Sequence, residues 1–151
     1  MTLHIQSFPE LTVWELYEIL RVRAAVFVVE QNCVYPDPDG TDLHSLHVWL
    51  EEEGTILAYL RLFRKDPAEN IVQIGRVLTT DRGKGYGATV LQAGIQAAED
   101  RMQADEIYLE AQTYAIGFYE KAGFHVTSVA FLEDGIPHVK MTRKRTGQNT
   151  I

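Results

Sequence analysis

Cysteine is almost missing from this chain: Cys33 is the only one in 151 residues, so no intrachain disulfide can form and a reducing compartment is the simpler setting. Alone, it reads as a small packed residue and not as a nucleophile. Positive charge is scarce too. Fourteen Lys and Arg against 21 Asp and Glu leave a net charge of −7 and a pI near 5.2. That balance excludes a broad nucleic-acid-binding face and confines any phosphate contact to a local site. Long apolar runs are also missing. Nowhere do ~20 consecutive apolar residues occur, and the opening MTLHIQSFPELTVWELYEIL has no cationic segment leading into an unbroken apolar stretch. A soluble cytoplasmic protein with no membrane partner is expected. His4, His44, His47 and His125 have no spacing that would form a metal site with Cys33, so no metal is expected either.

What the chain does have is 46% hydrophobic content, enough for one core. Its length is that of one domain, taken as residues 1–151 with a frayed tail from about residue 144. Leu3 to Phe8 alternates like a half-buried strand that Pro9 stops. From Thr12, the spacing of Val13, Leu16, Ile19, Leu20 and Ala24 predicts a helix opened by a Thr12/Glu15 capping box. Val26-Phe27-Val28-Val29 is apolar on all sides and leaves open whether that helix continues. Tyr35-Pro36-Asp37-Pro38-Asp39-Gly40-Thr41-Asp42 is turn chemistry throughout. Its three aspartates lack the closing Glu of a calcium loop, so a solvated loop is expected.

Two strands, Leu46 to Glu51 and Thr55 to Arg64, join at Glu53-Gly54, and Ile71 to Thr79 is a third. A helix follows through Val90, Leu91, Gly94, Ile95, Ala97 and Ala98 and ends near Met102 to Ala104. Then come a strand at Ile107 to Ala111, a short helix at about Ala115 to Lys121 ended by Gly123, and a hairpin of Phe124 to Glu133 with Ile136 to Thr142 across Asp134-Gly135. This order predicts an α/β sandwich around one mixed sheet, with no internal repeat.

Between the third strand and the long helix lies Thr80-Asp81-Arg82-Gly83-Lys84-Gly85-Tyr86-Gly87-Ala88. A helix start exposes unpaired N–H groups and the positive end of the peptide dipoles, so a corner free of side chains can wrap a phosphate. A P-loop is excluded, because Gly85 follows Lys84 where Ser or Thr is needed and the spacer between glycines is too short. A dinucleotide site fits the pattern G-x-G-x-x-A, with Glu110 lying 22 residues after Ala88. It needs further strand and helix units, however, and only 41 residues follow Glu110.

The third reading is the pyrophosphate of coenzyme A. Arg82-Gly83-Lys84-Gly85-Tyr86-Gly87-Ala88 resembles the R/Q-x-x-G-x-G/A signature of the GNAT superfamily of N-acetyltransferases. Gly117-Phe118-Tyr119-Glu120-Lys121-Ala122-Gly123-Phe124 resembles the FYEKxGF block that these enzymes carry after the fifth strand. Val26 to Gln31, Ile74 to Val77, Ala111-Gln112 and Glu133 to His138 are similar to the ElaA-like branch. The resemblance implies an α+β domain in which a mixed, mostly antiparallel sheet is flanked by helices. It also implies transfer of an acetyl group from acetyl-coenzyme A to an amine by direct attack.

On that reading, the backbone of Val77, Leu78 and Thr79 pairs with the pantetheine arm. Amides of Gly83, Lys84, Gly85, Tyr86, Gly87 and Ala88 hold pyrophosphate, and Arg82 and Lys84 add charge. Tyr119 is the implied general acid toward the leaving thiolate. Glu30, Gln31 and His138 fall on the implied acceptor side, and Glu30, Glu110 and His138 are candidate bases by type. A rival with the same fold is a non-catalytic sensor of acetyl-coenzyme A. The negative net charge favours a cationic acceptor, whether polyamine, aminoglycoside or protein lysine, and edge strands in the last hairpin suit a homodimer.

Overall fold

In a computed structural model describing residues 1–145, eight strands form one sheet. They are β1 (Thr2–Ser7), β2 (Leu46–Glu52), β3 (Thr55–Asp66), β4 (Ile71–Thr79), β5 (Glu106–Gln112), β6 (His125–Val126), β7 (Phe131–Glu133) and β8 (Ile136–Lys144). Their order is β1-β2-β3-β4-β5-β8-β6, with β7 also on β8. Among these pairings β4–β5 is parallel and the others are antiparallel.

The two faces of the sheet divide the core. Leu60, Leu62, Val72 and Ile74 face the helix α2 (Tyr86–Met102) and pack on Val90, Leu91, Ile95 and Ala98. Trp49, Tyr59 and Leu78 face the other way, onto Ile19 and Val22 of α1 (Val13–Arg23). A Cβ on Gly94 would stand 2.9 Å from both Leu60 δ-carbons, so the missing side chain is what lets α2 lie this close to β3. The predicted capping box is present: Glu15 N–H donates to Thr12 Oγ1 at 3.1 Å, and Thr12 N–H donates to Glu15 Oε1 at 2.9 Å. Both predicted two-residue turns form with left-handed central residues, Glu53 (φ 49°) and Gly54 (φ 79°), then Asp134 (φ 51°) and Gly135 (φ 76°).

Beyond α1 the chain neither stops nor starts anew. Ala24–Glu30 continues as a π-helix, with the N–H groups of Gln31 and Cys33 reaching back five residues to the carbonyls of Val26 and Val28. The expected strand Phe124 to Glu133 is broken into β6 and β7, because Thr127 and Ser128 bond to Lys140 by side chain and backbone and bend the chain between them. The short helix α3 is Ile116–Glu120, entered by a 3₁₀ turn at Thr113–Ala115. Lys144 is the end of β8, opposite Glu106. The rest of the expected frayed tail, 146–151, lies outside the described residues.

The largest departure is the aspartate-rich loop. Two of its three aspartates are buried: Asp37 is 4% exposed and Asp42 7%, and the Arg23 they bind 0%, while Asp39 is exposed. Arg23 donates to Asp37 Oδ2 (3.0 Å) and Asp42 Oδ1 (2.7 Å), and Arg61 donates to Asp42 Oδ1 (2.9 Å) and Asp39 Oδ2 (2.7 Å). Arg76 completes the circuit, 3.4 Å from Asp39 Oδ2 and 2.9 Å from Asp37 Oδ1. Three guanidiniums and three carboxylates thus alternate in a closed ring. Below it His47 lies between Tyr59 Oη (2.7 Å) and the Asp42 carbonyl (3.0 Å). Because that carbonyl can only accept, His47 Nε2 carries the proton and Nδ1 accepts from Tyr59.

Burial alone would raise the Asp42 pKa, yet hydrogen bonds from Arg23 and Arg61 hold it below the usual 3.8. The stability this confers is present above pH 3.8 and is lost as pH falls through the depressed folded value. Arg23→Met leaves two buried carboxylates short of charge and is expected to cost about 3–5 kcal/mol in urea unfolding at pH 7. The loss of stability expected below pH 4 for the native protein shrinks or reverses in that variant, since its aspartates gain by protonation.

Candidate active site

β4 and β5 run side by side only from Ile71↔Glu106 to Gln73↔Tyr108 and then part. Two local features open the gap. Arg76 sits at a positive φ of 53°, and the β3–β4 register slips between Tyr59 and Arg61, so the end of β4 is turned away from β5. Leu78 and Thr79 still pair with Tyr59 and Ala58 of β3. On the β5 side the backbone of Val77, Leu78 and Thr79 has no strand partner among the described residues. A sheet edge inside a sheet is a place for an added extended chain.

The gap opens into a cavity of about 800 Å³. Val77, Leu78, Thr79, Arg82 and Gly87 line it, together with Gln31, Glu110, Tyr119, Glu133 and His138 among others. After Thr79 the glycine corner turns into α2. Gly83 (φ 81°) and Gly85 (φ 79°) are left-handed, and Gly85 is the N-cap of α2. The first helical N–H groups, those of Tyr86, Gly87 and Ala88, have no partner within the helix. The Tyr86 side chain packs on the core, leaving its backbone to face outward. Gly87 is small for an internal reason: a Cβ there would meet Thr79 Cγ2 at 3.1 Å and Phe118 Cζ at 3.4 Å. The two cations of the corner are paired and exposed, Arg82 with Glu30 (2.7 Å) and Lys84 with Asp81 (3.9 Å).

Tyr119 reaches the cavity from α3. It is 8% exposed and wedged edge-on between Phe118 and Phe124. Its hydroxyl has no hydrogen-bond partner among the described residues, and burial, with Tyr114 beside it, raises its pKa well above the usual 10.0. The same cavity is lined by a carboxyl pair that sequence reasoning half missed. Glu110 accepts from Tyr108 Oη at 2.7 Å, and Glu133 lies against it. Burial first, then Glu110, pushes the Glu133 pKa up to about 7. His138 Nδ1 faces the Ile136 carbonyl at 2.7 Å and so carries its proton, which leaves Nε2 turned to Glu133 Oε2 at 3.6 Å.

The cavity therefore gathers Tyr119, Gln31, Glu110 and His138 as expected. Gln31 is fixed by Gln112, whose amide donates to its Oε1 at 3.2 Å. Glu30 does not line the cavity; it is held at the rim by Arg82. Glu133 and Arg76 are the functional candidates that the sequence did not single out by role. An acid before Asp-Gly is ordinary hairpin chemistry, and nothing in the chain's spacing says that Glu110 would be its neighbour.

Among the described residues no helix is long and apolar enough to cross a membrane. Residues 28–145 match the family model described as Acetyltransferase (GNAT) domain. Protein ElaA of Escherichia coli is 38% identical over 139 residues, 89% of this chain and 91% of that protein. Its crystal structure covers 95% of this chain with a TM-score of 0.89. An acyl-CoA N-acyltransferase from Pseudomonas aeruginosa is 39% identical, covers 95% of this chain and 99% of its own, and has a TM-score of 0.86. The PaiA N-acetyltransferase of Thermoplasma acidophilum, solved in complex with coenzyme A, shares the fold at 15% identity and a TM-score of 0.68. It covers 96% of this chain and 100% of its own. The mixed, mostly antiparallel sheet with its parted parallel pair, and these likenesses over nearly the whole chain, make it a member of the GNAT acetyltransferase family, in its ElaA-like branch.

Proposed function

We propose that this protein transfers an acetyl group from acetyl-coenzyme A to an amine by direct attack. The observation that carries the reading is the unpaired β4 edge at Val77, Leu78 and Thr79, which lines one cavity with Glu110, Glu133, Tyr119 and Gly87 and leads along the chain into the glycine corner. The residues fit the donor. Free amides of β4 suit the two amide groups of a pantetheine arm, and the α2 N-terminus with Gly83, Lys84 and Gly85 suits a diphosphate. A fold relative was solved with coenzyme A in complex, which supports the same assignment here. When bound, the donor supplies an activated thioester carbonyl.

The chain's own groups supply the proton handling. An alkylammonium has a pKa near 10.4 and must lose a proton before it can attack. Glu133, held near 7 by burial and by Glu110, is poised to take it, with His138 Nε2 beside it as a further acceptor. The leaving thiolate has a pKa near 8.5 and asks for little more than a hydrogen bond. Burial keeps the Tyr119 hydroxyl protonated and free of other partners, so it is the donor for that sulfur. Arg82 has to exchange Glu30 for phosphate to contribute its charge.

Three outcomes are expected. Tyr119→Phe lowers kcat by about a hundredfold, with melting temperature and calorimetric coenzyme A affinity within twofold of native; unchanged turnover removes the donor role. Gly85→Ala, forced to φ 79°, weakens coenzyme A binding about tenfold, and an unchanged affinity removes the corner from the site. In native protein kcat/KM rises with pH through about 7 as Glu133 loses its proton. Glu133→Gln flattens that rise, and a profile that keeps it assigns the base elsewhere.

A further inference from the structure

The cavity is lined by charges of both signs: Glu110 of β5, Glu133 of β7 and Asp134 of the turn after it, with Asp39, Arg61 and Arg82 besides. Arg76 of β4 lines the same cavity and is contacted on three edges. Its Nε lies 2.9 Å from Asp37 Oδ1 as an ion pair without hydrogen-bond geometry, its Nη2 donates to the Asp37 carbonyl at 3.0 Å, and the guanidinium lies 5.3 Å from the centre of the Tyr35 ring. Nη2 also lies 3.4 Å from Asp39 Oδ2. The fourth edge, Nη1, has no hydrogen-bond partner among the described residues. A guanidinium locked in place with one pair of N–H groups free is a ready reader of a carboxylate, since its side-chain entropy is already spent.

We propose that the acceptor is an amine that also carries a carboxylate, an amino acid in the broad sense, its ammonium end toward Glu110 and Glu133 and its carboxylate on Nη1 of Arg76. This rests on the acyl-transfer reading above. It also narrows the acceptors that net charge alone favours, because a polyamine brings no carboxylate for the free N–H groups of Nη1. Both ends line one cavity of about 800 Å³, the size of site that holds a small molecule.

Thiol release from acetyl-coenzyme A, measured with matched acceptors, tests the assignment. The set is free amino acids and short ω-amino acids, the amide and methyl ester of each, simple alkylamines, and spermidine. At least one free acid is expected to exceed its own amide and spermidine in kcat/KM by about tenfold or more. In Arg76→Gln that acid-to-amide ratio falls toward one, and Arg76→Lys, which keeps the charge without the fork, restores only part of it. The ratio is taken within each variant, so a general loss of stability does not move it. Equal use of acid and amide by native protein, or spermidine as the best acceptor, overturns the proposal. A binding arm reads the site without turnover: calorimetry with coenzyme A saturating is expected to find N-acetyl amino acids about tenfold tighter than their amides. If no amine releases thiol, the transfer reading falls and this arm alone decides; equal affinities there overturn the carboxylate site.

Discussion

One wall of the cavity of this protein depends on a closed ring of six charges. Asp37 lies between Arg23 and Arg76, Asp39 between Arg76 and Arg61, and Asp42 between Arg61 and Arg23. A buried ion pair is costly to form and compensates only when each charge finds enough partners in good geometry. Alternation around a ring meets that condition, since every carboxylate is shared by two guanidiniums. The guanidinium fork is what makes sharing possible: Arg61 uses one amino group for Asp42 and both for Asp39, which the single ammonium of lysine does not offer.

The ring ties the loop, through its aspartates, to three elements of the core: α1 through Arg23, β3 through Arg61 and β4 through Arg76. It thereby turns a segment of turn-forming residues into a fixed wall, with Tyr35, Pro36 and Asp39 lining the cavity. The same ring immobilises Arg76, whose left-handed backbone accompanies the parting of β4 from β5. One arrangement of charges thus braces both the wall of the cavity and the strand that opens it. The carboxyl pair of Glu110 and Glu133 is the counterpart on the far side. There, like charges brought together in a partly buried place raise a pKa, where in the ring opposite charges lower one.

Much of the fold was legible because it is written locally. Period-two alternation gave β1, β-forming runs beside turn residues gave β3 and β4, the Thr12/Glu15 box gave the start of α1, and Glu53-Gly54 and Asp134-Gly135 gave their turns. In each case the residues that specify the element are also its neighbours in the chain. The glycine corner was legible for the same reason: strand, bend and helix start are consecutive, so Gly83 to Ala88 could be assigned as one unit. Reading failed where a residue's partner lies far along the chain. Phe124 to Glu133 looked like one strand because nothing nearby shows that Ser128 would bind Lys140, and the three loop aspartates looked solvated because arginines up to 39 residues away are invisible to a local pattern.

By itself, then, the sequence determined the elements, their order and the phosphate-sized corner at the head of α2, because backbone preference, side-chain alternation and capping act over a few residues. Tertiary structure alone decided which charges meet. It paired Glu133 with Glu110, closed Arg23, Arg61 and Arg76 around three aspartates, and put Glu30 at the rim and not in the cavity. The physical reason is that charge and desolvation act through space: a carboxylate's proton affinity is set by whatever lies within a few ångströms of it, and chain spacing does not encode that distance.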